Sequence, residues 1–144
     1  MRITKHTDYA LRTLLFLAVR NDERATSKAI ADAHGISLHH LHKIVRALAE
    51  LGLVRLQRGP GGGVELAQAP EEISVGAVMR GLDDTDALIE CFDKETNTCV
   101  IAPACGLKSA LRTAQEAFYA TLDQVTIAEI ASGRNKLRLR RVNS

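Results

Sequence analysis

Three cysteines, Cys91, Cys99 and Cys105, are the side chains of this 144-residue chain best suited to chemistry. They are spaced Cys-x7-Cys-x5-Cys, so all three fall within fifteen residues. No Cys-x2-Cys knuckle occurs, which separates the pattern from the usual structural zinc sites. An odd number cannot pair completely within one chain, so disulfides alone do not explain them. Clustering in a single stretch argues against three independent core thiols and points to metal ligation or redox chemistry. Cys105 also falls where a long helix begins, and the positive end of a helix dipole favours thiolates and an anionic cluster. Three thiolates leave one coordination place open, and no histidine follows His42. Nearby acids (Glu90, Asp93, Glu95) are candidates, as is a residue brought in by folding or dimerisation. Asp8, on the first helix, is the favoured fourth metal ligand, because a carboxylate is a weak, exchangeable partner for iron beside thiolate. The plainer reading of Asp8 is a first-turn acid facing the helix dipole. His6 and a zinc site of three sulfurs and one oxygen also stay open.

A second set of residues is suited to binding a polyanion. Ser37, His39, His40, Lys43 and Arg46 project from the polar side of one short helix, able to donate to base edges or phosphate oxygens. Taken alone, this could be an ordinary solvated face. A basic segment follows, however, with Arg55 and Arg58 and then Gly59-Pro60-Gly61-Gly62-Gly63. A nucleotide-cradling loop would need Lys-Ser/Thr and a helix after its glycines, whereas Val64-Glu65-Leu66 follow in a strand pattern. A wing laid against the sugar-phosphate wall explains the glycines better, with Arg58, Gly59 and Gly61 at its tip.

The elements that must position these residues are legible from periodicity. Residues 3–20 read as an amphipathic helix with Leu11, Leu14, Leu15 and Ala18 on its apolar face. A second helix is capped by Thr26 or Ser27 and runs to about Ala33. After a turn at Gly35, Ser37 caps a third helix with a stripe of Leu38, Leu41, Ile44/Val45 and Leu48. Together they form a helix-turn-helix. Beyond Gly52 the period changes to two on both sides of the glycine tip, which predicts a β-hairpin. A short helix spans Ser74 to about Leu82, and residues 83–104 show no period. The next helix, 105–124, carries Leu107, Leu111, Ala114, Phe118 and Leu122 in near-heptad spacing, a candidate dimerisation seam. Thr126 and Glu129 form a capping box for a last short helix. The expected fold is mainly α: a winged helix-turn-helix with a β-hairpin wing and a long C-terminal dimerisation helix. The expected division is 1–82 for DNA binding, 83–105 for the cluster-binding loop, 105–133 for the dimerisation helix and short terminal helix, and 134–144 for a basic tail.

Composition agrees with this plan. Apolar residues make up 46% of the chain and aromatic ones 3%, which suits an aliphatic helical core. No apolar stretch approaches the ~20 residues of a membrane span. Asp8 and Arg12 interrupt any signal-peptide pattern, so the expected compartment is the cytoplasm. The net charge of +2 hides a segregation. Residues 1–67 hold ten Lys/Arg, six Asp/Glu and all five His, whereas residues 68–133 hold four against eleven. A basic half joined to an acidic one suggests a polyanion-binding part coupled to a part with another task. No nucleophile–base pair or catalytic motif occurs, so an enzyme is not expected.

The segments Met1-Arg2-Ile3-Thr4 through Arg12, Ile36-Ser37 through Leu48, Gly52-Leu53-Val54, Arg58 through Gly63 and the three cysteines together resemble the NsrR/IscR family of bacterial repressors. The resemblance covers nearly the whole chain up to about residue 131. It implies a homodimer packed along the long helix, a pseudo-palindromic double-stranded DNA operator, and an iron–sulfur cluster on the three cysteines. The NsrR-like branch senses nitric oxide, which destroys the cluster and releases DNA. The IscR-like branch, which gauges cluster supply, carries a His shortly after its third Cys. Here that stretch reads Gly106-Leu107-Lys108-Ser109, which favours the nitric-oxide branch. Three thiolates plus one ligand serve a [4Fe–4S] or a [2Fe–2S] cluster, with [4Fe–4S] favoured. The alternatives are a cluster-supply or redox-sensing repressor of the same family, a cluster-free repressor that senses oxidation through its thiols, and a helical effector-binding regulator.

Overall fold

Hydroxyl caps start five of the six α-helices in the computed structural model, which describes residues 3–20, 23–83 and 88–133. Helices α1 (Lys5–Val19), α2 (Ser27–His34), α3 (Leu38–Glu50), α4 (Val75–Leu82) and α6 (Ile127–Ala131) follow Thr4, Thr26, Ser37, Ser74 and Thr126. In each, the cap oxygen accepts from the third amide of the helix, which satisfies a donor that otherwise has no partner. Helix α5 (Gly106–Asp123) differs: its cap position is Cys105, whose side chain makes no capping bond. Strands β1 (Val54–Gln57) and β2 (Gly63–Leu66) pair antiparallel, with Val54 opposite Leu66 and Gln57 opposite Gly63.

The core joins α1, α2, α3 and α4 with the inner face of the hairpin. Phe16, Leu14, Ile30, Leu41, Leu48, Val64 and Val78 are buried in it. The face of α1 that packs inward is Thr7, Ala10, Thr13, Leu14 and Leu17, not the expected Leu11-Leu14-Leu15-Ala18 set, of which only Leu14 is fully buried. Two threonines are admitted to this face because their hydroxyls find acceptors. Thr13 Oγ1 donates to the Tyr9 carbonyl at 2.8 Å, and Thr7 Oγ1 donates to Asp83 Oδ1 at 3.1 Å. The stripe of α3 is as expected from Leu41 to Leu48, but Leu38 stays 43% exposed at its first turn. His34 ends α2 edge-on against Phe16, where burial, and secondarily the Arg12 charge, lowers its pKa. These contacts define a winged helix-turn-helix. Residues 134–144, expected as a basic tail, lie outside the described residues.

The C-terminal elements return to the N-terminal ones. A bridge between Ser74 and Thr126 brings the starts of α4 and α6 together, and α6 packs on α1. The last turn of α5 is held on α4 by Asp123, which takes the Arg80 guanidinium in a two-bond pair, with Nη2 to Oδ2 at 2.7 Å. Gly76 permits this approach, since a Cβ there would sit 2.7 Å from the Asp123 amide nitrogen. The Arg80 hydrogen bonds hold the Asp123 carboxyl below its ordinary range. A depressed native pKa means the pair stabilises fully above the ordinary carboxylate pKa and is lost as pH falls through the native one. Asp123→Asn is therefore expected to lower the thermal midpoint at neutral pH, with the gap to wild type closing in strong acid. Melting curves across pH check this, and a constant gap would count against it.

Candidate functional site

Two regions carry the sequence-level candidates: the α3–wing face and the cysteine segment. The wing tip is built from its own turn chemistry. The Gly62 amide donates to the Gly59 carbonyl at 2.9 Å, with Pro60 second and Gly61, at φ +72°, third. That is the residue order of a type II turn. Behind the tip, Ala25 pairs with Val64 as an extra bridge, and Arg24 clamps Glu65 at 2.9–3.1 Å while reaching the Gly61 carbonyl at 3.4 Å. Arg24 is thus a basic residue committed to holding the wing, a role the sequence did not signal.

Between α3 and the wing lies a groove of about 760 Å³. Of the candidates, His39, Lys43, Arg46, Arg58 and Gly59 line it. His40 lines a smaller notch between α1 and α3 instead. Ser37 Oγ accepts the His40 amide at 3.2 Å as the helix cap, and Arg55 donates back to the Ala67 carbonyl at 3.1 Å. Gly61 is exposed in the turn. Sequence reading missed Thr26, Ser27, His42, Leu56 and Gln57, which also line the groove. His42 was legible in principle, since positions 39, 42, 43 and 46 share one helical face. The groove lining carries three fixed positive charges and no carboxylate, as a surface for a polyanion requires.

The cysteine segment follows α4. Residues 84–87 lie outside the described part. Cys91 sits in a 3-10 turn (Glu90–Phe92), Cys99 in exposed irregular chain, and Cys105 at the start of α5 after a second 3-10 turn (Ala102–Ala104). All three thiols are free. Side-chain hydrogen bonds shape the segment: Glu90 Oε1 accepts from the Thr98 amide at 2.8 Å and its hydroxyl at 2.6 Å. Asp93 accepts from Thr96 Oγ1 at 2.7 Å and the Glu95 amide at 2.9 Å. These bonds, the Thr98 and Thr96 hydroxyls foremost, lower both carboxyl pKa values. Glu90 and Asp93 are therefore already engaged in building the loop. Arg112 of α5 lies over the Phe92 ring at 5.2 Å, tying the Cys91 turn to the long helix. Asp8 forms a bidentate pair with Arg12 at 2.7 and 3.0 Å.

Among the described residues, no three His, Cys, Asp or Glu side chains gather closely enough to hold a metal ion. The donor set itself fits an iron–sulfur cluster, since three unpaired thiols on one segment are the ligand type such clusters take. Of the seam residues, Leu107 is 65% exposed, Ala114 is exposed and Leu111 is partly buried, whereas Phe118 and Leu122 pack partly on the chain's own core.

Fold and face together define a winged-helix DNA-binding protein. Residues 3–133 match the family model described as "Rrf2: Iron-dependent Transcriptional regulator". The "HTH-type transcriptional regulator NsrR" of Geobacillus kaustophilus is 46% identical over 139 residues, 96% of this chain and 95% of the relative. The "HTH-type transcriptional repressor NsrR" of Streptomyces coelicolor is 40% identical over 134 residues, 92% and 89%. The crystal structure of the oxidized form of CymR from Staphylococcus aureus superposes with a TM-score of 0.72 at 27% identity, covering 92% of this chain and 98% of that one. The chain belongs to the Rrf2 family and is a DNA-binding regulator of transcription, not an enzyme. No helix among the described residues is long and apolar enough to cross a membrane.

The wing geometry predicts a selective defect. A Cβ on Gly62 would lie 2.8 Å from the Gly59 carbonyl oxygen and collide with that of Gln57. Gly62→Ala is expected to open the tip and weaken binding to a duplex selected from a random pool by the wild-type protein. The helical core should melt within about 1 kcal/mol of wild type. Anisotropy titrations and urea melts separate the two effects.

Proposed function

We propose that the chain is a homodimeric repressor that holds an iron–sulfur cluster on Cys91, Cys99 and Cys105 and loses its operator when nitric oxide arrives. The observation that carries this reading is the placement of three free thiols in the one segment between α4 and α5. When bound, the cluster, [4Fe–4S] in this reading rather than [2Fe–2S], would supply iron that reacts with nitric oxide. The NsrR name on relatives 40–46% identical favours that signal over cluster supply. Three unpaired thiols also fit the reducing cytoplasm.

The work of the chain's own residues follows. Cys91, Cys99 and Cys105 close the 83–105 segment on one centre, and Asp8 is the proposed fourth ligand. Since Asp8 is not gathered with the cysteines in the single chain, closure of the segment or dimerisation must bring it there, and Arg12 must release it. A second copy is the proposed cover for α5. Val100 (92% exposed), Ile101 (63%) and Leu107 (65%), one or two residues along the chain from Cys99 and Cys105, are large apolar side chains left exposed. The 105–133 unit then sets two 1–82 units so that their α3 helices enter successive major grooves of a pseudo-palindromic operator, ~34 Å apart. His39, Lys43 and Arg46 read or clamp the groove, while Arg58 and the glycine tip hold the wing to the backbone.

A visible spectrum, iron content and native mass after anaerobic purification test the reading. The wild type is expected to be a coloured dimer that bleaches with nitric oxide and loses ~100-fold in operator affinity, about 2.7 kcal/mol. Cys99→Ala should be colourless, and Asp8→Ala should hold a more labile chromophore. A colourless, iron-free wild type whose operator binding responds to peroxide would replace this reading with thiol sensing, for which exposed Cys99 is the natural first target.

A further inference from the structure

The face of α3 adjoining the wing groove meets α1 across a second concavity, a notch of about 320 Å³ lined by Lys5, His6, Tyr9, His40, Lys43 and Ile44. Its floor is the buried Ile44, and its walls present two ammonium groups, two imidazoles and a phenol. No carboxylate lines it. Asp8, the acid closest along α1, is taken up by Arg12 in the bidentate pair. The ion pairs among the described residues include neither Lys5 nor Lys43. The notch therefore concentrates positive charge and hydrogen-bond donors, with no ion pair to Lys5 or Lys43 among the described residues. Its position has a geometric consequence. A helix with side chains is ~10–12 Å across and a major groove ~12 Å wide, so a helix lying in the groove meets phosphates on both flanks. The wing groove and the α1–α3 notch are lined by neighbouring positions of α3, and Lys43 belongs to both.

We propose that this notch is a second DNA-contact site that takes a backbone phosphate of the duplex, held by Lys5 and Lys43 with His6, His40 and Tyr9 as further donors. The proposal rests on α3 entering the major groove. It also links grip to regulation, because Lys5 and Tyr9 lie within one helical turn of Asp8 on α1. A shift of that turn that moves the carboxylate also moves the phosphate clamp.

The test uses the full chain and a duplex selected from a random pool by the wild-type protein. The binding constant is measured by anisotropy against salt concentration. Lys5→Ala is expected to bind several-fold more weakly at ~0.1 M salt, roughly equally for all duplex sequences, with the log–log salt slope reduced by about one contact. Single methylphosphonate substitutions along each strand should reveal one phosphate per half-site that matters to wild type and no longer matters to Lys5→Ala. An unchanged slope, or no phosphate coupled to Lys5, overturns the proposal. Inorganic phosphate at constant ionic strength should leave wild-type affinity unchanged; selective competition abolished by Lys5→Ala would assign the notch to a free phosphate ligand and overturn the duplex contact. Arg46→Ala separates the two levels: loss there with Lys5→Ala intact overturns the notch alone, and no effect of either overturns the α3 reading as well.

Discussion

The carboxylate of Asp83 is where the parts of this molecule are joined. It accepts from Thr7 of α1 through one oxygen at 3.1 Å and from Tyr119 of α5 through the other at 3.2 Å, while its own backbone closes the last turn of α4. Thr7 also bonds to the Thr4 cap, which sets where α1 begins. Tyr119 carries the Arg80 guanidinium over its ring at 4.7 Å, and Arg80 in turn holds Asp123. One chain of polar contacts thus runs from the first turn of α1 to the last turn of α5. The cysteine segment leaves directly from this clasp. A partly buried carboxylate with two hydroxyl donors is costly to disturb, at about 1–3 kcal/mol for each donor left unpaired. The clasp therefore makes the placement of α1 dependent on what happens at residue 83 and beyond.

Under the proposed function, that dependence is the route from the cysteines to the DNA face. Asp8 follows Thr7, and the notch residues Lys5 and Tyr9 surround both. Cys91 and Cys105 are attached to α5 from two sides, by the Phe92–Arg112 contact and by the helix start itself. Rearranging the segment must then act on α5, on the clasp, or on both. The missing hydroxyl cap at Cys105 fits this role. A Ser or Thr there would satisfy the α5 terminus internally, whereas the Cys105 side chain makes no capping bond and leaves that positive end beside the cysteine segment.

Much of this was legible residue by residue. Thr26, Ser37, Ser74 and Thr126 mark helix starts because a hydroxyl three residues before an amide is a local device, independent of the rest of the chain; Thr4 does the same for α1, where periodicity alone set the start at residue 3. The Gly59-Pro60-Gly61-Gly62 turn is local for the same reason, as is the burial of Leu41, Ile44, Val45 and Leu48 on one face of α3. Other assignments failed where the signal was ambiguous. Leu11 and Leu15 are as apolar as Leu14, but Thr7 and Thr13 hold the inward positions because acceptors from Tyr9 and Asp83 wait there. Hydrophobicity alone could not reveal those acceptors.

The sequence by itself determined the elements, the turn chemistry of the wing and the set of three thiols, all encoded by contacts between residues a few positions apart. Tertiary structure alone decided which charges are free to act. It assigned Arg24 to the wing clamp and Asp8 to Arg12, and set half-buried His34 against Phe16, His39 and His42 in the groove and His40 in the notch. It also made Asp83, one acid among many in an aperiodic stretch, the junction of three helices. Such roles depend on segments as many as 76 residues apart meeting in space, and no local pattern in the chain records which of them will meet.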